Sequence, residues 1–449
     1  MSLTRKIKDY YKKGGNLLFT TPSHAQGEYI PDEAKMLLGK KFFKCDFSEI
    51  EDFDNLRHPE GILLELQDKI SYIYQSKKSF MLTNGSSSGI CALMLAILKP
   101  DDKVLVARNC HISVCNGLTL TGANPVWFLP EYDKEWGIFK GISPSQIENI
   151  LKKEKDIKAV ILTSPTYEGI FSDIGEISKI TKKYNTKLII DEAHGALVNF
   201  GEFKTKPAIL CGADACVQSL HKTAGAPNPC ALLHIAQNSS INSDSIQNAL
   251  NLINTTSPSY PLLAAIEATV DFLASIKGKT QISKLLSDIK DLKNGCSENI
   301  IFYEGFNDPT KILIKIKGMN ALKAAEILNK KYKIEEEFST ESYMLFITGI
   351  GTTYKKLKRL FEVLSMTDFS QKPNALKENE YYYVLPEKAM TPRQAYFANS
   401  KFIEKSNAYG KICAEAIISY PPGIPLIVPG EIITSEYITD DLENIKTID

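Results

Sequence analysis

The chain has no apolar run near the roughly 20 residues that cross a bilayer, which excludes a helical membrane span. It has no excess of charge either. Its 53 Lys+Arg stand against 53 Asp+Glu, so no basic field draws nucleic acid or acidic lipid, and aromatic and basic residues do not interleave. The opening MSLTRKIKDYYKKGG is basic but carries no apolar segment, so no secretory signal is expected. Nine cysteines form no CxxC pair and keep no regular spacing. Structural thiols in a reducing cytoplasm are expected, rather than disulfides or zinc. The histidines, His24, His58, His111, His194, His221 and His234, lack a ligand spacing such as HxxxH, so no metal is expected. No repeat or low-complexity segment interrupts the chain.

What is present suits a soluble α/β protein of two or three lobes: 449 residues, 43% hydrophobic. Short β-rich runs alternate with helical segments from about residue 60 to 275. The runs are FMLT (80–83), KVLVA (103–107), KAVILT (158–163), KLII (187–190) and ACVQSL (215–220). Strands apolar throughout and separated by helices indicate a mostly parallel sheet covered on both faces. Each run ends in a polar cluster: NGSSSG, RNCHIS, SPTYEG, DEAHGA and His221-Lys222. Ligands of such sheets gather beyond the carboxyl ends of the strands, so five clusters converge on one site.

Further on, 276–310 reads as helical and connecting. The order KILIKI, ALKAAEILNKKY, KIEEEF, YMLFIT, TYKKLKRLFEVLS then suits a small sheet with helices on one face. After the linker DFSQKPNALKENE, the prolines and glycines of YPPGIPLIVPGE exclude a regular helix and indicate a fixed, loop-rich wall. The expected division is an N-terminal arm (1–30), a large cofactor-binding domain (31–275) and a small α+β C-terminal domain (276–449).

Asp191 and Lys222 both fall at strand ends. An amine and a carboxylate at one sheet edge suit pyridoxal 5′-phosphate: the amine condenses with the aldehyde, and the carboxylate keeps the pyridine nitrogen protonated. A plain Asp–Lys ion pair explains the two residues equally well. The other clusters add weight to the first reading. NGSSSG opens a helix, where backbone N–H groups and the hydroxyls of Ser86 and Ser87 suit a phosphate, although a simple helix cap has the same look. Ser219 and His221 are placed to add phosphate bonds. His111 can lie on a planar ring or be an ordinary loop residue, and His194 can orient Asp191 or meet the ring hydroxyl.

NGSSSGI, RNCHIS, SPTYEGI, DEAHGA, VQSLHKT, TSPSY and YPPGIPLIVPGE, with TPSHAQG and IEDFDNLRHPEGILLELQ before them, resemble in order the motifs of the bacterial ornithine/lysine/arginine decarboxylases. The resemblance runs over almost the whole chain. It implies the fold type I of pyridoxal-phosphate enzymes, a homodimer with active sites at the subunit interface, and polyamine-type metabolism. The TPSHAQG block is reached by residue 21, so the N-terminal wing of the larger members is expected to be absent. The resemblance makes Lys222 the Schiff-base lysine, Asp191 the pyridine-nitrogen partner, His111 the stacking residue and His194 a cofactor contact. It gives the phosphate to Ser86, Ser87, Ser219 and His221, with Thr256 or Ser257 reaching the phosphate of the partner subunit. Substrate contacts are expected from Glu415, Arg393 and Glu168, each of which also reads as an ordinary surface charge, Glu415 on a helix.

The chain departs from the family pattern at Ser23 and Ala25, at Ile112 between His111 and Ser113, at Asn228-Pro229 after HKT, and at Gln394 in PRQA. The expected reaction is loss of CO2 from lysine, ornithine or arginine. The altered 223–230 loop keeps a pyridoxal-phosphate aminotransferase or lyase open as an alternative, and a non-catalytic binding protein on the same fold is the third.

Overall fold

Side chains alternate between two buried faces along the strands of the main sheet, and the structure, a computed structural model, shows what covers each face. It describes residues 2–14, 17–50, 53–367, 369, 384–419, 423–435 and 442–449. The strands are β1 (Ser76–Leu82), β2 (Lys103–Ala107) and β3 (Asn124–Phe128), a short hairpin of β4 (Tyr132–Asp133) and β5 (Ile138–Phe139), then β6 (Ile157–Thr163), β7 (Lys187–Asp191), β8 (Ala215–Ser219) and β9 (Ala231–Ala236). Seven of them form one sheet in the order β1-β9-β8-β7-β6-β2-β3. The pairings from β3 through β8 are parallel, while β9 lies antiparallel between β1 and β8.

Val104, Val106, Ala159, Ile161, Ile189 and Val217 pack against helices Gly85–Ile97, Ile112–Thr121 and Ser243–Ile253. Their neighbours Leu105, Ala107, Val160, Leu162, Leu188 and Ile190 face the other way, onto helices Pro144–Lys153 and Ile174–Lys183. This is the period-two division of a sheet buried on both sides. Two strands of this sheet escape the sequence reading. Pro125 interrupts NPVWF, yet β3 is an edge strand, where a missing N–H is tolerated. ALLHIA looks like the tail of a proline loop, but β9 is fully buried, His234 included.

The first helix, Leu3–Lys13, is pinned to the large unit by a buried carboxylate. Glu267 accepts from N of Leu3 (3.1 Å) and N of Thr4 (2.7 Å), as an acid at a helix N-terminus should.

The second sheet, β10 (Ile300–Phe302), β11 (Lys311–Ile316), β12 (Phe338–Ser339) and β13 (Met344–Ile347), is antiparallel in the order β10-β11-β13-β12. Helices Ile276–Asn294, Ala321–Tyr332 and Tyr354–Met366 cover one face, as expected. Leu313, Tyr343 and Leu345 on the other face pack on Trp136, Ile138 and Ile170. KIEEEF is shorter as a strand than expected. Lys333 takes a left-handed φ of 56° to end the preceding helix and Ile334 N returns to Leu328 O, so only Phe338–Ser339 pair.

The last strands are β14 (Ser400–Glu404), β15 (Ile417–Ser419), β16 (Ile424–Ile427) and β17 (Asn444–Ile448), paired β14 with β17 and β15 with β16. The wall is therefore partly regular. Its Tyr420–Pro422, and all of the DFSQKPNALKENE linker except Phe369, lie outside the described residues. KICAEAII is not helical: Ile412 bridges Ile432 and Cys413 bridges Thr447.

Candidate active site

The five polar clusters do meet. A cavity of about 300 Å³ beyond the carboxyl ends of the parallel strands is lined from all of them: Ser86 and Ser87 after β1, His111 after β2, Glu168 after β6, Asp191 and His194 after β7, and Ser219, His221 and Lys222 after β8. Ser86 and Ser87 sit in the first turn of helix Gly85–Ile97, whose cap residue Asn84 makes no side-chain bond to it. The N–H groups of that turn have no partner within the helix. The helix reaches the sheet closely because Gly89 leaves no room for more: a Cβ there would lie 2.7 Å from Leu82 and 2.8 Å from Val217. Ser219 Oγ donates to Ser86 Oγ (2.8 Å), tying the β8 end to that helix.

Lys222 stands in a single helical turn, Leu220–Thr223, with Nζ 2.8 Å from Nε2 of His194. Burial, followed by the nearby Lys222, Lys311, His111 and His221, holds His194 well below the usual imidazole range, so its ring is neutral. An Nε2 that accepts from Lys222 leaves the proton on Nδ1, and that buried atom has no partner. The ring of Tyr167 meets His194 edge-on at 5.2 Å. Burial also depresses Lys222, against the opposing charges of Asp191 and Glu337. The buried Asp191 receives N of Ala193 on Oδ1 (3.1 Å).

His111 caps helix Ile112–Thr121, its Nδ1 accepting from N of Ser113 (3.2 Å). The backbone N–H of Ser113 thus fixes the tautomer with Nε2–H. Burial lowers His111; Asp191 opposes and Lys222 adds to the shift. His221 donates from Nδ1 to Cys230 O (3.3 Å).

Three polar atoms on residues lining this cavity have no partner among the described residues: Asn109 Oδ1, Thr163 Oγ1 and His194 Nδ1. Buried polar groups are rarely left so unless a ligand or water serves them. Together with a helix N-terminus, an amine and a carboxylate, they suit a polar, anionic ligand.

Apart from Glu168, an expected substrate contact that does line the cavity, several participants were not singled out in the sequence. Tyr167 donates to Glu337 Oε1 (2.8 Å), an exposed residue near the mouth. Glu168, partly open to the cavity, receives Thr166 Oγ1 (2.9 Å) and Tyr343 OH (3.3 Å), and burial raises its pKa. Ile424 of β16 supplies an apolar wall. That wall is held to the His111 loop by Ile112 N to Gly423 O (3.1 Å). Buried Arg108 joins in, bonding Leu426 O (2.8 Å) and both oxygens of buried Glu431 (2.8 and 2.6 Å). Arg108 lies only three residues before His111, but a lone Arg after a strand signals nothing without its partner.

Thr256, expected at the partner subunit's phosphate, is exposed. Two expected substrate contacts are not brought to this cavity. Arg393 is exposed, donates to Leu120 O (2.7 Å) and lies over Phe397, while Gln394 completes a capping box with Thr391. Glu415 is exposed on non-helical chain, its carbonyl receiving Cys413 Sγ (2.8 Å). Of the departures, Asn228 and Pro229 do line the cavity.

The family described as Orn/Lys/Arg decarboxylase, major domain, matches residues 2–309, and its C-terminal domain matches 375–449. An arginine decarboxylase of Bacillus anthracis is 30% identical, over 96% of this chain and 91% of its own length; one of Bacillus subtilis is also 30% identical, over 95% and 90%. The inducible lysine decarboxylase of Escherichia coli is 24% identical, over 97% and 75%. Among solved structures, a lysine decarboxylase from Francisella novicida shares the fold with TM-score 0.83 at 24% identity, covering 100% of this chain and 81% of its own. Fold type is shared more distantly with the ureidoglycine–glyoxylate aminotransferase of Bacillus subtilis, TM-score 0.53 over 68% of this chain. This chain belongs to the Orn/Lys/Arg decarboxylase family and is a decarboxylase of the basic amino-acid class.

Proposed function

We propose that the chain is a pyridoxal 5′-phosphate-dependent arginine decarboxylase that works as a homodimer in the cytoplasm, in polyamine-type metabolism. The observation that carries the proposal is Lys222 and Asp191 lining one cavity with a helix N-terminus and three unserved polar atoms. The coenzyme, when bound, supplies a protonated ring that accepts the electron pair left at Cα as CO2 departs. Asp191 keeps the ring nitrogen protonated. Lys222 would hold the coenzyme at its aldehyde end, His111 would pack against it, and the Nδ1–H of His194 would donate to its hydroxyl. Ser86, Ser87, Ser219 and His221 hold the phosphate. Ile424 keeps water from the face where the carboxylate leaves. The hydrogen-bonded Lys222–His194 pair returns a proton to Cα.

Glu168 is the acceptor for the distal cation, with Glu337 drawing it to the mouth. Arginine is preferred because the 30% identical relatives of matching length carry that name, whereas the lysine decarboxylase of Escherichia coli stands at 24%. The dimer is supported by exposed apolar side chains near the N-terminus, among them Leu17, Phe19, Met36 and Leu37. The dimer also suits the exposure of Thr256, Arg393 and Glu415, none of which lines this cavity. The division into arm (1–30), cofactor domain (31–275) and small domain (276–449) is kept, because the seven-stranded sheet falls within the second span and the four-stranded sheet within the third. A cytoplasmic setting suits nine cysteines that are all free.

The deciding experiment gives the purified protein pyridoxal phosphate and then arginine, ornithine or lysine, with CO2 counted and the amine identified by mass. Arginine is expected to be consumed fastest. If ornithine or lysine is consumed instead, the substrate assignment fails. Pyridoxamine phosphate in place of CO2 means transamination, and a protein that stays colourless with the coenzyme is a binding protein.

A further inference from the structure

A second cavity, of about 540 Å³, opens between the large unit and the four-stranded sheet and shares no lining residue with the first. Boundaries between two packed units are common places for small-molecule sites. One wall is the end of helix Ile276–Asn294, which turns Ile289, Lys290 and Lys293 toward the cavity. Positions three and four apart share a helix face, so the two lysines stand together. β10 supplies Phe302, whose ring stacks on Phe361 at 5.9 Å. The Lys293 ammonium lies over that ring, 5.3 Å from its centre. The loop 304–309 adds Glu304 and Asn307, and the large unit adds Glu202 and Lys204. Lys204 Nζ donates to Gly305 O, fastening the two units at the rim.

Two features set this cavity apart from an ordinary surface cleft. Asn307 is only 7% exposed, yet its side-chain amide has no hydrogen-bond partner among the described residues. Buried amides are rarely left so. Its backbone cannot swing out to water, because Asn307 bridges Ile170 between the bonds Phe171 N to Phe306 O and Asp308 N to Gly169 O. The second feature is charge. Lys204, Lys290, Lys293, Glu202 and Glu304 line one cavity, and none makes an ion pair among the described residues.

We propose that this cavity binds an acidic α-amino acid of the aspartate or glutamate type. Three ammonium groups against two carboxylates call for a molecule with two carboxylates and one ammonium. Lys293, half-buried on Phe302, and the amide N–H of Asn307 take one carboxylate, and Lys290 at the rim takes the other. The glutamates take the α-ammonium, and the methylenes lie on Phe302 and Ile289. Arginine or lysine carries the opposite balance of charge, so the substrate of the first cavity is a poor occupant of the second.

The test is equilibrium dialysis of the full-length protein, with pyridoxal phosphate present, against labelled glutamate. Competitors are glutarate, which lacks the ammonium, glutamine, which lacks the second carboxylate, and inorganic phosphate. Glutamate is expected to bind once per chain, with glutarate and glutamine each about 10-fold weaker and phosphate weaker still. Lys293→Met and Asn307→Leu should each lower glutamate affinity by at least about 10-fold. The thermal midpoint of Asn307→Leu should stay near wild type, since the amide it removes serves no protein group. Lys293→Met keeps the idea testable if Asn307→Leu folds poorly. No glutamate binding up to about 10 mM, or binding unchanged in a folded variant of either kind, overturns the site. Glutamine or phosphate binding as tightly as glutamate overturns the ligand class. None of these readings depends on decarboxylation, so failure here leaves the proposed function standing.

Discussion

The two main sheets use their strand ends differently. In the seven-stranded sheet β2, β6, β7 and β8 run the same way, so the chain emerging from each arrives at one edge, and four of the clusters are neighbours for that reason alone. In the four-stranded sheet every neighbour is reversed, and successive strand ends are sent to opposite edges. Beside that sheet, Glu337 and Tyr343 meet the site's lining singly, on Tyr167 and Glu168. Parallel pairing collects chemistry and antiparallel pairing lends isolated groups, as the geometry of the two ladders requires.

The contrast can be broken by mutation, most severely in the parallel sheet. Lys222→Ala is expected to cut CO2 release by at least about 10⁴-fold, with borohydride label at residue 222 abolished. Asp191→Asn should follow with a loss of about 10³-fold in kcat, the protein melting close to wild type. Glu431→Gln strips the buried Arg108 of its counter-charge. A loss of about 3–5 kcal/mol is expected, read by denaturant titration, and activity falls with it because the Ile424 wall loses its tether. Glu168→Gln, at the border with the antiparallel sheet, should raise KM for arginine by about 10–100-fold with kcat less affected. Equal losses in kcat and kcat/KM would place Glu168 at the reacting atoms instead.

The smallest effect is a pH slope. Burial holds His234 at about 3, and the unfolded chain binds its proton near 6.5, so this group's stabilisation is complete above about pH 6.5 and is lost as pH falls toward 3. Between pH 6.5 and 5 the loss is about 2 kcal/mol. His234 is fully buried, stacked on Tyr74 at 4.2 Å with Nδ1 2.8 Å from Ser79 Oγ. A variant such as His234→Phe should show a flatter acid slope in its thermal midpoint, whatever it loses at neutral pH.

Much of this was legible in the chain because parallel strands are local signals. KVLVA is β2 residue for residue, and the polar residues just past each strand have nowhere to go but the rim. What was not legible depends on distant pairing. β3 and β9 hide behind Pro125 and a proline loop, and nothing near RNCHIS announces that Arg108 meets Glu431. The burial of Lys311, the first residue of KILIKI, depends on the approach of Gly169 from a distant loop. Thr256, Arg393 and Glu415 were read from resemblance, which carries a motif's place in a family but not where the folded chain puts each side chain.

The seam between the two sheets limits how such a molecule can admit its substrate. Asp308 N reaches Gly169 O and Phe171 N reaches Phe306 O, each at 2.8 Å, with Ile170 bridged to Asn307 between them. These main-chain bonds stitch the smaller body to the very loop that lines the pocket. Swinging it aside as a rigid flap would tear the pocket's own lining, so traffic in and out must use a standing doorway past Tyr167 and Glu337.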